Sequence, residues 1–171
     1  MENEGVGLMM SIRKANTKEL EEINQMIPDV FKSSVTVDFN LSEDCMRAMS
    51  KQLQEEGASY FVYSEDERIR GFVLVDKKTD AIEQIEYGFI YELYVLKAYR
   101  NQGIAKKLIH FVNDYYKKHN VSEVRLNVFA GNEAKYLYEK IGFHEFIFQC
   151  LWILKYEFPK LYVDVNKIIL N

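Results

Sequence analysis

Cysteine pairs, long apolar runs and surplus positive charge are all missing from this chain, and each absence removes a class of function. Cys45 and Cys150 are its two cysteines, far apart and without a C-x-x-C partner, so neither a disulfide framework nor a zinc site is indicated. Both read as buried, inert thiols. No apolar stretch is long enough to span a bilayer, and the start Met1-Glu2-Asn3-Glu4 is acidic where a targeting segment is basic; the expectation is a cytoplasmic protein with no membrane partner. The net charge of −4 argues against a nucleic-acid partner held by bulk electrostatics. Internal repeats, low-complexity tracts and linkers are absent as well.

What is present suits one soluble domain. The 171 residues are 48% hydrophobic and 28% charged, enough for a sizeable core. Residues 1–10 read as an untidy leader, with Met9 or Met10 a candidate start, and 11–171 as a single domain. Ser11 to Ala15 reads as a strand. Asn16 with Glu19 three residues later forms a capping arrangement, followed by Leu20, Ile23, Met26 and Ile27 at helical spacing until Pro28 limits the helix. Val30 to Asn40 reads as a connection, and Ser42 caps a second helix carrying Met46, Met49 and Leu53 on one face and ending near Gly57.

Ala58 to Ser64 and Ile69 to Asp76 read as an antiparallel hairpin across a polar turn. The charged stretch Lys77 to Glu83 then leads into a central strand, Glu86 to Leu96. Ile104, Leu108, Phe111, Val112 and Tyr115 mark an amphipathic helix, Ser122 to Phe129 alternates as a strand, and Asn132 opens a short helix that Gly142 ends. From His144 to Leu170 the chain is strand-like, in one hairpin or two separate strands. The order β-αα-βββ-α-β-α-β gives a mixed α/β layer, not a doubly wound nucleotide-binding sheet.

The chain is organised around Tyr91 to Ala105, a strand that runs into a glycine turn and then a helix start. The first turn of a helix has backbone N–H groups without intrahelical partners and carries partial positive charge, which suits a phosphate. Gly103 lets a diphosphate approach the backbone, Ala105 keeps the next position small, and Arg100, Lys106 and Lys107 cluster nearby. An ordinary strand–turn–helix unit fits the spacing equally well.

The specific motif is Arg100-Asn101-Gln102-Gly103-Ile104-Ala105, which resembles the [Q/R]-x-x-G-x-[G/A] signature of the GNAT superfamily of N-acetyltransferases. Glu92-Leu93-Tyr94-Val95 and Tyr99-Arg100 stand where that family usually has E-L-Y-V-x-P-x-Y-R. Leu137-Tyr138-Glu139-Lys140-Ile141-Gly142-Phe143 resembles its L-Y-E-K-x-G-F. The likeness implies a three-layer mixed α/β fold, with a central, mostly antiparallel sheet whose central strands splay and whose faces carry helices. It implies acetyl-CoA as cosubstrate, a primary amine of a small molecule or protein as acceptor, direct attack in a ternary complex, and no metal. Leu93, Tyr94 and Val95 would pair with the pantetheine arm. Backbone N–H groups from Asn101 to Lys106 would hold the diphosphate, so the side chains of Asn101, Gln102 and Ile104 should tolerate change better than Gly103.

Tyr138 matches the tyrosine that many relatives use to protonate the departing thiolate; its place on an apolar helix face also fits a core role. Glu92 is the candidate general base, since a substrate ammonium must lose a proton before attack. It also reads as a solvated carboxylate or an amine anchor. Glu86 would share its strand face if the alternation is unbroken, which a bulge would change. His110 and His119 read as capping or exposed residues, and His144 as near enough to approach the site. Lys97 stands where proline is usual. Gly131 replaces the asparagine commonly seven residues before the tyrosine, with Asn132 one place later as the substitute cofactor contact.

Two rivals are a non-catalytic acyl-CoA sensor on the same fold and a purely structural protein. The acceptor-choosing regions, 17–57 and 144–171, carry no motif. Asp38, Glu43 and Asp44 read as a solvated surface in preference to a site for a cationic acceptor. The apolar residues Phe146, Phe148, Leu151, Trp152 and Ile153 fit either a homodimer interface or core.

Overall fold

The chain is described by a computed structural model over residues 10–34, 41–129 and 131–145. Its elements are β1 (Met10–Lys14), α1 (Thr17–Ser34), α2 (Glu43–Glu55), β2 (Ser59–Glu65), β3 (Arg68–Thr79), β4 (Glu86–Val95), a 3-10 turn (Lys97–Tyr99), α3 (Ile104–Lys118), β5 (Val124–Leu126) and α4 (Ala134–Ile141). Among the described residues five strands lie in the order β1-β2-β3-β4-β5, antiparallel except for the parallel β4–β5 pair. The mixed α/β class implied by the motifs is therefore the observed one.

Local chemistry explains why the elements start where they do. The Glu19 N–H donates to Asn16 Oδ1 at 3.0 Å while the Asn16 N–H donates to Glu19 Oε2 at 2.9 Å, a reciprocal cap for α1. Arg13 closes the cap with a two-pronged bond to Glu19, which holds that carboxyl below its ordinary range. Ser42 accepts from the Cys45 N–H and starts α2. Gly142, in the left-handed region, ends α4.

Each sheet face has its own core. Ile23, Ile27 and Val30 of α1 and Met46 of α2 pack with Tyr60, Val62, Phe72, Leu74 and Tyr94 on one side. Ile104, Leu108, Val112 and Tyr116 of α3 pack with Phe61, Val73, Val75 and Ile90 on the other. A spacing of four along α3 puts these side chains in one stripe, each worth about 1.5–3 kcal/mol when fully buried. The result is a helix–sheet–helix sandwich.

Several expectations need correction. Pro28 does not end the first helix, which continues to Ser34 with Pro28 inside it. The proline costs about 3 kcal/mol in a helix interior, and the burial of Ile23, Ile27, Pro28 and Val30 against the sheet offsets this. Lys77, Lys78 and Thr79 belong to β3 and pair with Gly88, Tyr87 and Glu86, so the connection shrinks to a turn around Asp80. That turn is held by the Asp80 carboxylate, which accepts from two backbone N–H groups and from Arg125 and is held down to about 2. Strand β5 covers only the centre of the expected Ser122 to Phe129. Cys45 is exposed, not buried, because it falls on the outer face of α2 beside the inward Met46. The leader through residue 9, Asp38, Cys150 and the strands expected from residue 146 onward, with the apolar run Phe146 to Ile153, lie outside the described residues.

Candidate active site

Strand β4 carries the site because it changes face partway along. Leu74 pairs with Glu92 and Val75 with Ile90, so Tyr91 is an extra residue, a bulge. Before it, Ile90 faces α3; after it, Tyr94 faces α1 and α2, as Tyr91 does, while Leu93 and Val95 face α3. Glu86 therefore does not share a face with Glu92, as unbroken alternation would require. It is tied to Lys77 at 2.7 Å on the exposed end of the sheet.

Beyond Ile90, β4 and β5 no longer pair: their ladder holds Gly88–Val124, Phe89–Arg125 and Ile90–Leu126. Past that point the strands part, and a cleft of about 470 Å³ opens between them. Residues 90–95 of β4 form one wall, residues 126–129 and α4 the other, and the C-terminal end of α1 the roof. Leu93, Tyr94 and Val95 sit on the parted stretch.

The start of α3 closes one end of the cleft. Asn101 and Gly103 are both left-handed, with φ of 62° and 76°. Space does not demand Gly103, since a β-carbon there would meet nothing within 4 Å. Its conformation does, because side chains with a β-carbon resist positive φ. The first bond of the helix runs from the Lys107 N–H to the Gly103 carbonyl. The N–H groups of Gly103 to Lys106 precede it, at the positive end of the helix dipole. Arg100, Asn101, Gly103, Ile104, Ala105 and Lys106 all line the cleft. Gln102 does not; its side-chain amide donates to the Ala98 carbonyl at 3.4 Å. The Arg100 guanidinium folds back onto the Val95 carbonyl and over the Tyr94 ring.

Tolerance at Ile104 is not what the structure gives. Its side chain is 4% exposed in the α3-side core, so only its N–H is free for a ligand. Asn101 is constrained too, by its left-handed backbone.

Glu92 lies in the wall of the cleft yet is almost wholly buried. Tyr60 donates to its Oε2 at 2.5 Å, and Ser50 Oγ stands 2.6 Å from the Tyr60 hydroxyl. Burial pushes the Glu92 carboxyl up to about 7, with the hydroxyl donors working against that rise. Tyr138 lines the opposite wall, its ring edge-on to Phe143 at 5.8 Å, and burial raises its phenol above the ordinary value. Asn132 also lines the cleft. Its amide is engaged within the fold, Nδ2 donating to the Ser34 carbonyl and Oδ1 accepting from the Ala134 N–H.

His144 lines a different cavity, with Asn113 and Lys117, and His110 is exposed. His119 bonds the Tyr115 carbonyl at the end of α3. Glu43 and Asp44 are outward ion-pair partners of α2, Glu43 with Lys32 and Arg47, and Asp44 with Arg47. Ser50 and Tyr60 escaped the sequence reading. The signal was a serine on the inward face of a helix, four residues after Met46. Among the described residues no cluster of three His, Cys, Asp or Glu is placed to hold a metal, and no helix is long and apolar enough to cross a membrane.

A family model described as an acetyltransferase (GNAT) domain matches residues 28–149. Human N-acetyltransferase 8 is 30% identical over 122 residues, covering 68% of this chain. The chain spans about half that relative's length, 52%. Among solved structures, the aminoglycoside N-acetyltransferase AAC(6')-Iy in complex with CoA aligns with a TM-score of 0.67 at 19% identity, over 87% of this chain and 97% of that one. The ribosomal-protein-alanine N-acetyltransferase of Brucella melitensis aligns with a TM-score of 0.67 at 18% identity, over 85% of this chain and all of that one, 100%. At these identities the structural likeness speaks for the fold.

Proposed function

Since this chain belongs to the GNAT superfamily of acetyltransferases, we propose that it moves the acetyl group of acetyl-CoA to a primary amine, by direct attack with both substrates bound. One observation carries this reading: a single cleft joins the unpaired helix turn at Gly103, the parted edge of β4, a buried carboxylate and a tyrosine. The turn fits a diphosphate, since it offers consecutive N–H groups beside the Lys106 cation. The Leu93, Tyr94 and Val95 edge fits an extended amide-bearing chain, which would add to the sheet as a strand does. Acetyl-CoA supplies an already activated acyl group, so the protein's share is positioning and proton transfer.

In this reading Glu92 takes the proton from the substrate ammonium, and the freed amine lone pair forms the new bond to the acetyl carbon. A carboxyl pushed up to about 7 is matched to that task at neutral pH. As the carbon–sulfur bond breaks, the Tyr138 hydroxyl gives its proton to the departing sulfur, and the surplus proton on the new amide nitrogen leaves through solvent, from which the phenol is restored. Burial keeps that phenol protonated until then. Residues 11–171 act as one catalytic domain, and no residue in this scheme needs a metal. An amine acceptor is supported by neighbours named for aminoglycoside and for ribosomal-protein alanine acetylation.

Thiol release across a panel of primary amines, comparing wild type with Glu92→Gln, tests the assignment. Amine-dependent release should fall by about 100- to 10,000-fold with acetyl-CoA affinity unchanged. Equal release from the two proteins would remove Glu92 from the mechanism.

A further inference from the structure

Glu92 is supported from behind. Ser50 comes from α2, Tyr60 from β2 and Glu92 from β4, and the three meet in a hydrogen-bonded row with steps of 2.6 and 2.5 Å. Only Glu92 reaches the cleft; Ser50 and Tyr60 are each 2% exposed and line no part of it. Around Tyr60 the layer is apolar: Ile23 and Ile27 from α1, Met46 from α2, Phe72 and Leu74 from β3. A core that needed only packing would place apolar groups at these points at no loss of stability.

The hydrogens impose a direction. Tyr60 has one, which it gives to Glu92, so its oxygen must accept from Ser50. Two hydroxyls therefore point in series at one carboxylate oxygen. When Glu92 takes a proton the row can reverse, Glu92 donating to Tyr60 and Tyr60 to Ser50. Both protonation states are thus satisfied without moving the backbone.

We infer that Ser50 and Tyr60 are positioning residues of the active site, a directed pair of hydroxyls that orients the Glu92 carboxylate and keeps it ionisable inside an apolar layer. This rests on the proposed role of Glu92 only for its use in catalysis, not for its geometry. On the Glu92 side of the sheet stand Tyr60 from β2 and Tyr91 and Tyr94 on β4, among apolar side chains of α1 and β3. The charged groups there, Lys78 and Asp76 of β3 and Glu56 just after α2, act on Tyr91. Loss of the Tyr60 hydroxyl should therefore raise the proton affinity of Glu92, and loss of the Ser50 hydroxyl should do so less.

The test follows Glu92 itself, by carbon NMR titration of the full chain labelled at the glutamate carboxyl carbon, with the resonance assigned by its disappearance in Glu92→Gln. Tyr60→Phe should move the titration midpoint up by about one pH unit or more. Ser50→Ala, a milder change in packing, should move it the same way by a smaller amount. Acetyl-CoA affinity by calorimetry, unchanged in both variants, shows that fold and cleft persist. Midpoints unchanged in both folded variants would overturn the inference. Shifted midpoints together with undiminished thiol release from Glu92→Gln would uphold it and fault the base assignment alone.

Discussion

A β-carbon on Gly71 would stand 2.9 Å from the Tyr94 carbonyl oxygen and 3.2 Å from Cγ2 of Ile104, the first residue of α3. This glycine in β3 sets how closely the helix start can approach the sheet, and so where the turn at Gly103 meets the cleft. Gly71→Ala should push Ile104 outward and destabilise by about 1–3 kcal/mol, as overpacking does. Acetyl-CoA affinity should fall with it. Urea denaturation and calorimetry on the same protein check both effects, and a destabilised variant with unchanged affinity would separate the seat of α3 from the ligand site.

At Gly103 the constraint is the backbone angle, not crowding. Asparagine tolerates left-handed backbone better than other side chains, and β-branched residues tolerate it worst. Gly103→Asn should keep more acetyl-CoA affinity than Gly103→Val, with far-ultraviolet dichroism unchanged in both. Equal affinities would mean that the left-handed turn is not part of the binding surface.

Glu92 links activity to stability with a definite sign. Its carboxyl rises from an unfolded value of 4.5 to about 7 in the fold, mainly through burial. Between those pH values the folded state holds a proton that the unfolded state has lost. Stability therefore falls as pH rises through this window, by about 3 kcal/mol once the group is fully ionised. Glu92→Gln escapes that cost, so at pH 8 it should be more stable than wild type by about 1–3 kcal/mol. At pH 4, below the unfolded value, the gain should vanish. Urea melts at the two pH values decide, and a gain of equal size at both would mean that the carboxylate is not the source.

Tyr138→Phe keeps the ring against Phe143 and removes the hydroxyl. The rate constant for acetyl transfer should drop by about 100-fold or more, while acetyl-CoA binds as before. Stopped-flow detection of the released thiol measures it. An unchanged rate constant would assign Tyr138 to packing.

The sequence made the strand–turn–helix at Tyr91 to Ala105 legible, because residue type and spacing there are dictated by local backbone needs. The same holds for the Asn16–Glu19 cap and the apolar stripe of α3. What stayed hidden depended on tertiary neighbours. The bulge at Tyr91 changes the parity of β4 without any mark in an alternating aromatic run, so whether Glu86 shares a face with Glu92 is decided only in the fold. Pro28 reads as a stop until the buried surface of α1 is known. Ile104 reads both as a turn position more tolerant than Gly103 and as the start of the α3 stripe, and only the fold, with Gly71 beneath it, decides for the stripe. Ser50 looks like an ordinary helix serine, and only the fold brings Tyr60 and Glu92 to it.

The central claim is that the cleft between β4 and β5, closed by the turn at Gly103, binds acetyl-CoA. Isothermal titration of acetyl-CoA into wild type and Gly103→Val tests it most directly. The account predicts micromolar binding by wild type and severe loss in the folded variant. Absence of heat with well-folded wild-type protein, or equal binding by both, would contradict it.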